Sequence, residues 1–210
     1  MATLVDRLRM AWRALTLGAG ALHAPMGSSI GVDHEQFAPP EYGEYVATSN
    51  AVYTCLTLRA NLLATLPPVV YRVRGGDRVA VEGGPLVELL HKVNEFWTWK
   101  RLIKQTEYSL GTWGKSFWFV ERGQGGRGKP QELWWVRPDR VTVVPHPERY
   151  VSHFEYRPID GSKPIPFLPS ETIWMRFPNP ISEYDGLSPL AAARLAADYA
   201  SAAMKSNRNL

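Results

Sequence analysis

Near Ser116 the spacing of the apolar residues changes from that of helices to that of strands. Before this point they recur every three or four positions. After it, short apolar and aromatic runs alternate with turns rich in Gly and Pro. Such short runs at close intervals are typical of an antiparallel sheet. The sequence therefore predicts an α+β fold in which N-terminal helices pack on an antiparallel sheet. The predicted strands are Phe117–Val120, Leu133–Val136, Val141–Val144, Val151–Tyr156 and Thr172–Met175.

Three helices and a hairpin are predicted before the change in spacing. The first helix begins after Thr48 or Ser49 and stops at Pro67. We expect this helix to pack through its apolar residues, and we expect Cys55 to be a small core residue. These residues are Val52, Cys55, Leu56, Leu58, Leu62, Leu63 and Leu66. The predicted hairpin joins Val69–Val73 to Arg78–Val81, and the next helices cover Leu86–Val93 and Trp99 to about Leu110.

The clearest helix lies at the end of the chain and is rich in alanine. Ser188 is a good N-cap, and Pro189 fits the first turn of a helix that runs to about Asn207. Alanine has a high helix propensity but fills little volume, so this helix suits a place where neighbouring backbones come close. Arg194 and Asp198 are four residues apart and can form a pair on its surface.

Residues 1–44 are predicted to form an N-terminal arm and linker. Met1–Gly20 has apolar residues at helical spacing with arginines between them, which predicts an amphipathic helix, with a membrane-surface helix as the minor option. Its apolar runs are too short and too often interrupted for a secretory signal. Residues 18–44 are rich in Gly, Ala and Pro and are expected to be extended. No apolar stretch is long enough to suggest a spanning helix, and no membrane partner is expected.

Three motifs resemble catalytic or nucleotide-binding sequences but lie in the wrong context. Gly27–Gly31 matches a nucleophile elbow but is followed by a polar, Pro-rich linker. Gly123–Gly128 matches a dinucleotide fingerprint, but a strand follows it instead of a helix. Gly114-Lys115-Ser116 ends like a phosphate-binding loop but leads from a helix into a strand. We therefore expect no enzyme activity, no catalytic residue and no nucleotide cofactor.

Metal binding and disulfide formation are not expected either. The chain has one cysteine, which cannot form an internal disulfide. No two of its five histidines have metal-ligand spacing on one element. His146 and His153 could meet across a hairpin, but no third ligand is evident.

The charge distribution leaves a second class of function open. With 24 Lys and Arg against 20 Asp and Glu, the net charge of +4 is too small to identify a nucleic-acid-binding protein. A basic cluster on the exposed side of a helix consists of Lys100, Arg101 and Lys104. It is expected either to face solvent only or to contact DNA or another subunit. Tryptophans such as those at 118, 134 and 135 could stack on bases, although their apolar neighbours favour a core. The alternative function is therefore a small monomeric α+β nucleic-acid-binding module.

Five sequence segments, in this order, resemble the portal proteins of tailed bacteriophages, which are head-to-tail connectors. The most recognisable reads Gly-x-Ser-Pro-Leu and opens a long helix. A second is a helix-to-strand step that in portals usually reads Gly-Asn-Ala-Tyr, where this chain has Lys115. The segments are Ala51–Pro67 with the strand after it, Gly84–Asn94, Ser109–Trp118, Glu132–Val141, and Glu171–Trp174 with Tyr184–Leu190.

This resemblance implies a mechanical function in the virion. Twelve subunits would form a ring at one capsid vertex, with double-stranded DNA passing through its channel during packaging and ejection. The implied partners are the terminase large subunit, the major capsid protein and the head-tail adaptor. The implied location is the capsid portal vertex, with the host cytoplasm during assembly. Close packing between subunits would involve the last helix, at Arg194, Ala197, Asp198 and Ala202.

The resemblance also implies a division of the chain. After the arm, residues 45–186 would form the α+β part that corresponds to a portal wing, and 187–210 would begin the stem. Portal chains usually continue into a clip, a second stem helix and a crown, which this sequence of 210 residues does not include. It is therefore expected to be either a fragment or a portal of reduced function.

Overall fold

A computed structural model describes residues 42–123 and 128–193, and of Glu44 only the backbone. Within these residues the chain is a mixture of helices and antiparallel sheets, which confirms the predicted α+β class. The helices are α1 (Tyr42–Thr48), α2 (Asn50–Ala64), α3 (Pro85–His91) and α4 (Trp99–Trp113). The strands are β1 (Tyr71–Arg74), β2 (Asp77–Ala80), β3 (Lys115–Arg122), β4 (Pro130–Val136), β5 (Val141–His146), β6 (Tyr150–Tyr156), β7 (Ile165–Phe167) and β8 (Thr172–Arg176).

The strands form a hairpin and two three-stranded antiparallel sheets. The strands β1 and β2 pair only with each other. The order of the first three-stranded sheet is β4-β3-β8, and that of the second is β5-β6-β7. The short strand β7 was not predicted, and it contains Pro166, which cannot donate to a strand ladder. Its position at the edge of the second sheet is where a proline is tolerated.

The central strand β3 supplies side chains to two hydrophobic cores. Successive residues of a strand point to opposite faces of the sheet. Trp118 therefore packs with Leu102 and its neighbours on α4, whereas Phe117 packs against the second sheet, close to Phe154. The first sheet is thus a middle layer between α4 and the sheet β5-β6-β7.

The tryptophans of the first sheet take part in this packing. The indole N–H of Trp118 donates to the Oγ1 of Thr106 at 2.8 Å, and that of Trp135 donates to the Oγ of Ser109 at the same distance. Trp134 is half-buried beside Phe96. Trp118 and Trp135 therefore take part in the core, whereas Trp134 lies beside Phe96, which is 53% exposed.

Helix α2 buries a narrower stripe than the sequence predicted. Leu56, Ala60 and Ala64 are its buried residues, and the helix approaches α4 so closely that a Cβ atom on Gly111 would lie 2.2 Å from the Cδ2 of Leu56. Cys55 is exposed, so its prediction as a core residue is wrong. Leu58, Leu62, Leu63 and Leu66 are exposed as well, because α4 covers only one side of the helix.

The start of the folded region also differs from the prediction. Tyr42 and Gly43 were expected to be extended but belong to α1, where Tyr42 is buried. Contacts of α1 with both α2 and α4 account for the helical conformation. The rest of the predicted arm, residues 1–41, lies outside the described part of the chain.

Candidate functional site

Two of the recognised sequence segments meet in space at the base of the last helix. One is the step from α4 into β3 at Gly114, and the other is the turn around Gly186. A Cβ atom added to Gly186 would lie 1.9 Å from the carbonyl oxygen of Gly114. One added to Gly114 would lie 2.6 Å from the carbonyl oxygen of Gly186. The two backbones can approach this closely only because both residues lack side chains. We call this contact the junction, and define it by Thr112, Gly114, Lys115, Asp185, Gly186 and Ser188.

The backbone conformation of Gly114 also favours glycine. The residue closes α4 in the left-handed region, with φ at 72°, and its N–H donates to the carbonyl of Leu110 at 2.9 Å. Its own carbonyl accepts from the N–H of Phe177 at 2.8 Å. The same residue therefore ends the helix and connects it to the chain that leaves β8.

A buried ion pair holds the two sides of the junction together. The ammonium group of Lys115 donates to the carboxylate of Asp185. The side chains are only 12% and 9% exposed, respectively. The lysine thus has an acidic partner on the facing turn. Removal of either charge alone would leave the other buried without its counterion.

Ser188 attaches the start of the last helix to the end of α4. Its side chain is buried, and its hydroxyl donates to the carbonyl of Thr112 at 2.6 Å. The same oxygen accepts from the N–H of Ala191 at 3.1 Å, which confirms the predicted N-cap. Residues 189–193 are helical, and Leu190 is buried. Residues 189–193, the described start of this helix, are therefore held against the end of α4.

Tyr150, the first residue of β6, supports the loop that precedes the junction. Its backbone lies in the left-handed region, with φ at 68°, which is unfavourable for an aromatic residue. The phenol donates to the carbonyl of Glu183, and its ring stacks on Tyr184 with centroids 5.0 Å apart. Arg176 donates to the same phenol at 3.0 Å. The second sheet thus also helps to position the turn.

We expect Ser188→Ala to lower the free energy of unfolding by about 2 kcal/mol. The substitution removes an N-cap, at about 1 kcal/mol, and leaves the carbonyl of Thr112 without this donor at a buried position. In a chain of this size the melting temperature should fall by roughly 4–8 °C. Ser162→Ala, at an exposed loop position, is the control and should change it by no more than roughly 2 °C. Equal melting temperatures for the two variants would contradict this role of Ser188.

The predicted site residues lie apart from the junction or outside the described residues. Lys100, Arg101 and Lys104 are exposed near the start of α4, and the guanidinium carbon of Arg101 lies 4.9 Å from the ring centroid of Trp97. The four predicted interface residues of the last helix are outside the part of the chain that the structure describes. They are Arg194, Ala197, Asp198 and Ala202.

The contexts of two catalytic-looking motifs are those expected from the sequence. Gly123 and Gly128 belong to the loop of the β3–β4 hairpin, with no helix after it. Gly114-Lys115-Ser116 leads from α4 into β3, and its lysine is paired with Asp185. The segment Gly27–Gly31 lies outside the described residues.

The described histidines do not form the pair considered from the sequence. In the β5–β6 ladder His146 lies opposite Tyr150, whereas His153 lies opposite Val144. Over residues 42–123 and 128–193, His, Cys, Asp and Glu form no group of three that could hold a metal ion.

In the same ranges no helix has the length and apolar character needed to cross a membrane. Burial raises the pKa of Tyr156 above that of an ordinary tyrosine.

The sequence contained signals for parts of the junction but not for their contact. Gly114 and Gly186 were noted as parts of two separate segments, and Ser188 was predicted as an N-cap. The pairing of Lys115 with Asp185 and the role of Tyr150 were missed. Opposite charges beside two glycines were the available signal, but it does not identify a contact between residues so far apart in the sequence.

Comparison with protein families identifies a match over most of the chain. A family model for phage portal proteins matches residues 50–210. Comparison with curated protein sequences finds no significant match.

Solved structures with a similar fold come from gene transfer agent particles. A chain from the neck of an empty particle, computed with C6 symmetry, has a TM-score of 0.72 at 22% identity, over 83% of this chain and 47% of its own. One from the native neck, computed with C12 symmetry, has a TM-score of 0.65 at 20% identity with the same coverage. One from the native virion has a TM-score of 0.66 at 22% identity, over 96% of this chain and 51% of its own. This chain therefore spans about half the length of these structures.

Proposed function

The chain belongs to the phage portal protein family, and from this we propose that it serves as one subunit of a ring at a capsid vertex. The junction is the observation that carries the proposal. It holds the start of the last helix by contacts between backbones, by a buried ion pair and by a capping serine. A ring of identical subunits needs each helix to leave its domain in the same direction, and the junction would meet this need.

In this proposal the function is mechanical. The ring would contain twelve subunits, and its channel would carry double-stranded DNA during packaging and ejection. It would dock the terminase large subunit, the major capsid protein and the head-tail adaptor. It would act at the portal vertex of the virion after assembly in the host cytoplasm. The symmetric necks in which similar chains occur support this assignment.

The parts of the chain have separate roles in the proposal. Residues 1–41 would form an arm, residues 42–186 the wing-like domain, and residues 187–210 the beginning of the stem. Portal proteins are structural, and we propose that this chain likewise catalyses no reaction. We also propose that Lys100, Arg101 and Lys104 contact DNA or a neighbouring subunit. Their exposure and the absence of an ion pair to them among the described residues support this role.

We expect the purified chain to form particles with masses that are multiples of its 23.6 kDa. Ala197→Trp or Ala202→Trp should reduce the assembled fraction and leave the melting temperature almost unchanged, because overpacking acts where the helices of neighbouring subunits meet. Mass photometry measures the assembly, and circular dichroism measures the melting. Ser162→Trp, at an exposed loop position, is the control and should assemble like the wild type.

One combination of results would contradict the ring proposal. A monomeric wild type, together with Trp variants that melt at lower temperature, would show that the last helix covers its own domain. The ring proposal would then fail for this chain.

A further inference from the structure

A row of exposed apolar side chains lies on the side of α2 that faces away from α4. Its members lie within about 60° of one another around the helix axis, at about 100° per residue. We call them the outer stripe, and they are Ala51, Cys55, Leu58 and Leu62. All are exposed, Leu58 and Leu62 by 61% each. The buried residues of the helix lie on its opposite side, and they are Leu56, Ala60 and Ala64.

A helix that is apolar on two opposite sides is typically packed between two other elements. On one side α4 approaches α2 closely, at Gly111 and Leu56. On the other side the described residues leave the outer stripe exposed. Leu66 follows in the turn after the helix, where its N–H donates to the carbonyl of Leu63 at 3.1 Å, and it is 62% exposed. We therefore expect a further apolar element to cover this side of α2.

The N-terminal arm contains an apolar row that matches the outer stripe. Its members lie within about 80° of one another around the axis of the predicted amphipathic helix. We call them the arm row, and they are Leu4, Leu8, Trp12 and Leu15. The arginines of this segment all fall outside that arc. In helical conformation the two rows have the same length, about 17 Å. A helix this short is only marginally stable alone in water, so the arm row needs an apolar surface.

The connection between the two rows favours contact within one chain. Residues 16–41 join the arm row to α1, which packs against α2. At roughly 3.3 Å per residue this connection can span roughly 80 Å, which is several times the length of the outer stripe. A tethered segment meets its surface at an effective concentration on the order of 1 mM, which exceeds the concentration of a purified protein in dilute solution. Docking on the same chain is therefore favoured over docking on another copy.

We propose that the arm row, within residues 4–15, docks as a helix on the outer stripe of the same chain. Helix α2 would then lie between α4 and the arm, and the arginines of the arm would face solvent. The inference concerns a single subunit and does not depend on the ring.

The reaction of Cys55 with iodoacetamide measures whether the outer stripe is covered, because Cys55 lies within it and is the only cysteine of the chain. Leu8→Asp with Leu15→Asp places charges in the arm row of the full chain and should release it. Thr3→Asp with Met10→Asp is the matched control, because it adds the same charges at the same spacing on the other side of the segment. The melting temperature, measured by circular dichroism, shows whether each variant stays folded.

We expect Cys55 to react roughly tenfold more slowly in the wild type than in the Leu8 and Leu15 variant. Docking with an intrinsic dissociation constant of about 0.1 mM gives this protection at an effective concentration on the order of 1 mM. The control variant should react as slowly as the wild type. The rates should be the same at low and high protein concentration, because docking takes place within one chain.

A second measurement detects the contact directly. Leu4→Cys, Leu8→Cys and Leu15→Cys each place a second thiol in the arm row. A disulfide forms only where two Cα atoms approach within about 7 Å. Under mild oxidation at least one of these variants should form a disulfide with Cys55 faster than Met10→Cys, the control on the other side of the segment. Electrophoresis without reductant separates bridges within a chain from bridges that join two chains.

Three results would overturn the inference. Equal rates of alkylation in the wild type and in the Leu8 and Leu15 variant would show that the arm row does not cover the outer stripe. Disulfides that form no faster than in Met10→Cys would show the same. Disulfides that join two chains would place the arm on a neighbouring copy. The ring is tested separately, by the masses of the particles that the wild type forms.

Discussion

Gly186→Ala is expected to lower the free energy of unfolding by roughly 3 kcal/mol or more. Its new methyl group would lie 1.9 Å from the carbonyl oxygen of Gly114, and a backbone atom cannot move aside as a flexible side chain can. A loss of this size corresponds to a fall of roughly 6–12 °C in the melting temperature of a chain of this length. Gly83→Ala is the control, because a Cβ atom at that position would meet no atom within 4 Å.

A second pair of variants separates the close contact from the backbone conformation. Gly114 and Gly161 both have φ at 72°, but a Cβ atom on Gly161 meets nothing within 4 Å. Alanine at either position carries the cost of the left-handed conformation, which is about 1–2 kcal/mol. Any additional loss in Gly114→Ala therefore measures the contact with Gly186. Equal losses in the two variants would refute the close packing of the junction.

Lys115→Met is expected to lower the free energy of unfolding by about 3–5 kcal/mol. It leaves the carboxylate of Asp185 buried without its counterion, and breaking a buried pair from one side has this cost. The double variant Lys115→Met with Asp185→Leu should recover much of the loss, because no charge then remains at the buried site. Chemical denaturation of the wild type, the two single variants and the double variant gives the coupling free energy between the two residues.

The pair of Arg137 and Asp139 provides the comparison. Arg137 is 46% exposed, so solvent screens the pair, and Arg137→Met should cost less than about 1 kcal/mol. A cost for Lys115→Met as small as that would show that its ion pair contributes little to the junction.

Features set by neighbours in the sequence could be predicted, whereas features set by distant contacts could not. Ser188 and Pro189 identified the start of the last helix because capping involves residues within one turn. The five predicted strands are present because short apolar runs between Gly- and Pro-rich turns are a local signal. The exposed side of α2 was missed, because leucines at helical spacing look alike whether or not another element covers them.

The junction shows the same limit. Gly114 and Ser188 were each recognised within their own segment, but nothing local indicates that the serine hydroxyl donates to the carbonyl of Thr112. Pro166 is tolerated in β7 because this strand lies at the edge of its sheet, and no local pattern indicates that position.

The long sequence separation of the junction has a consequence for the order of events during synthesis. Lys115 and Asp185 are 70 residues apart, and Thr112 and Ser188 are 76 apart. Contacts of this kind require closure of a long loop, so we expect them to form after the local hairpins and helices. A nascent chain would therefore fix the direction of its last helix only once α4, β3 and β8 are in place. In the proposed ring, a copy whose junction has not formed would present this helix in another orientation and would not fit beside its neighbours.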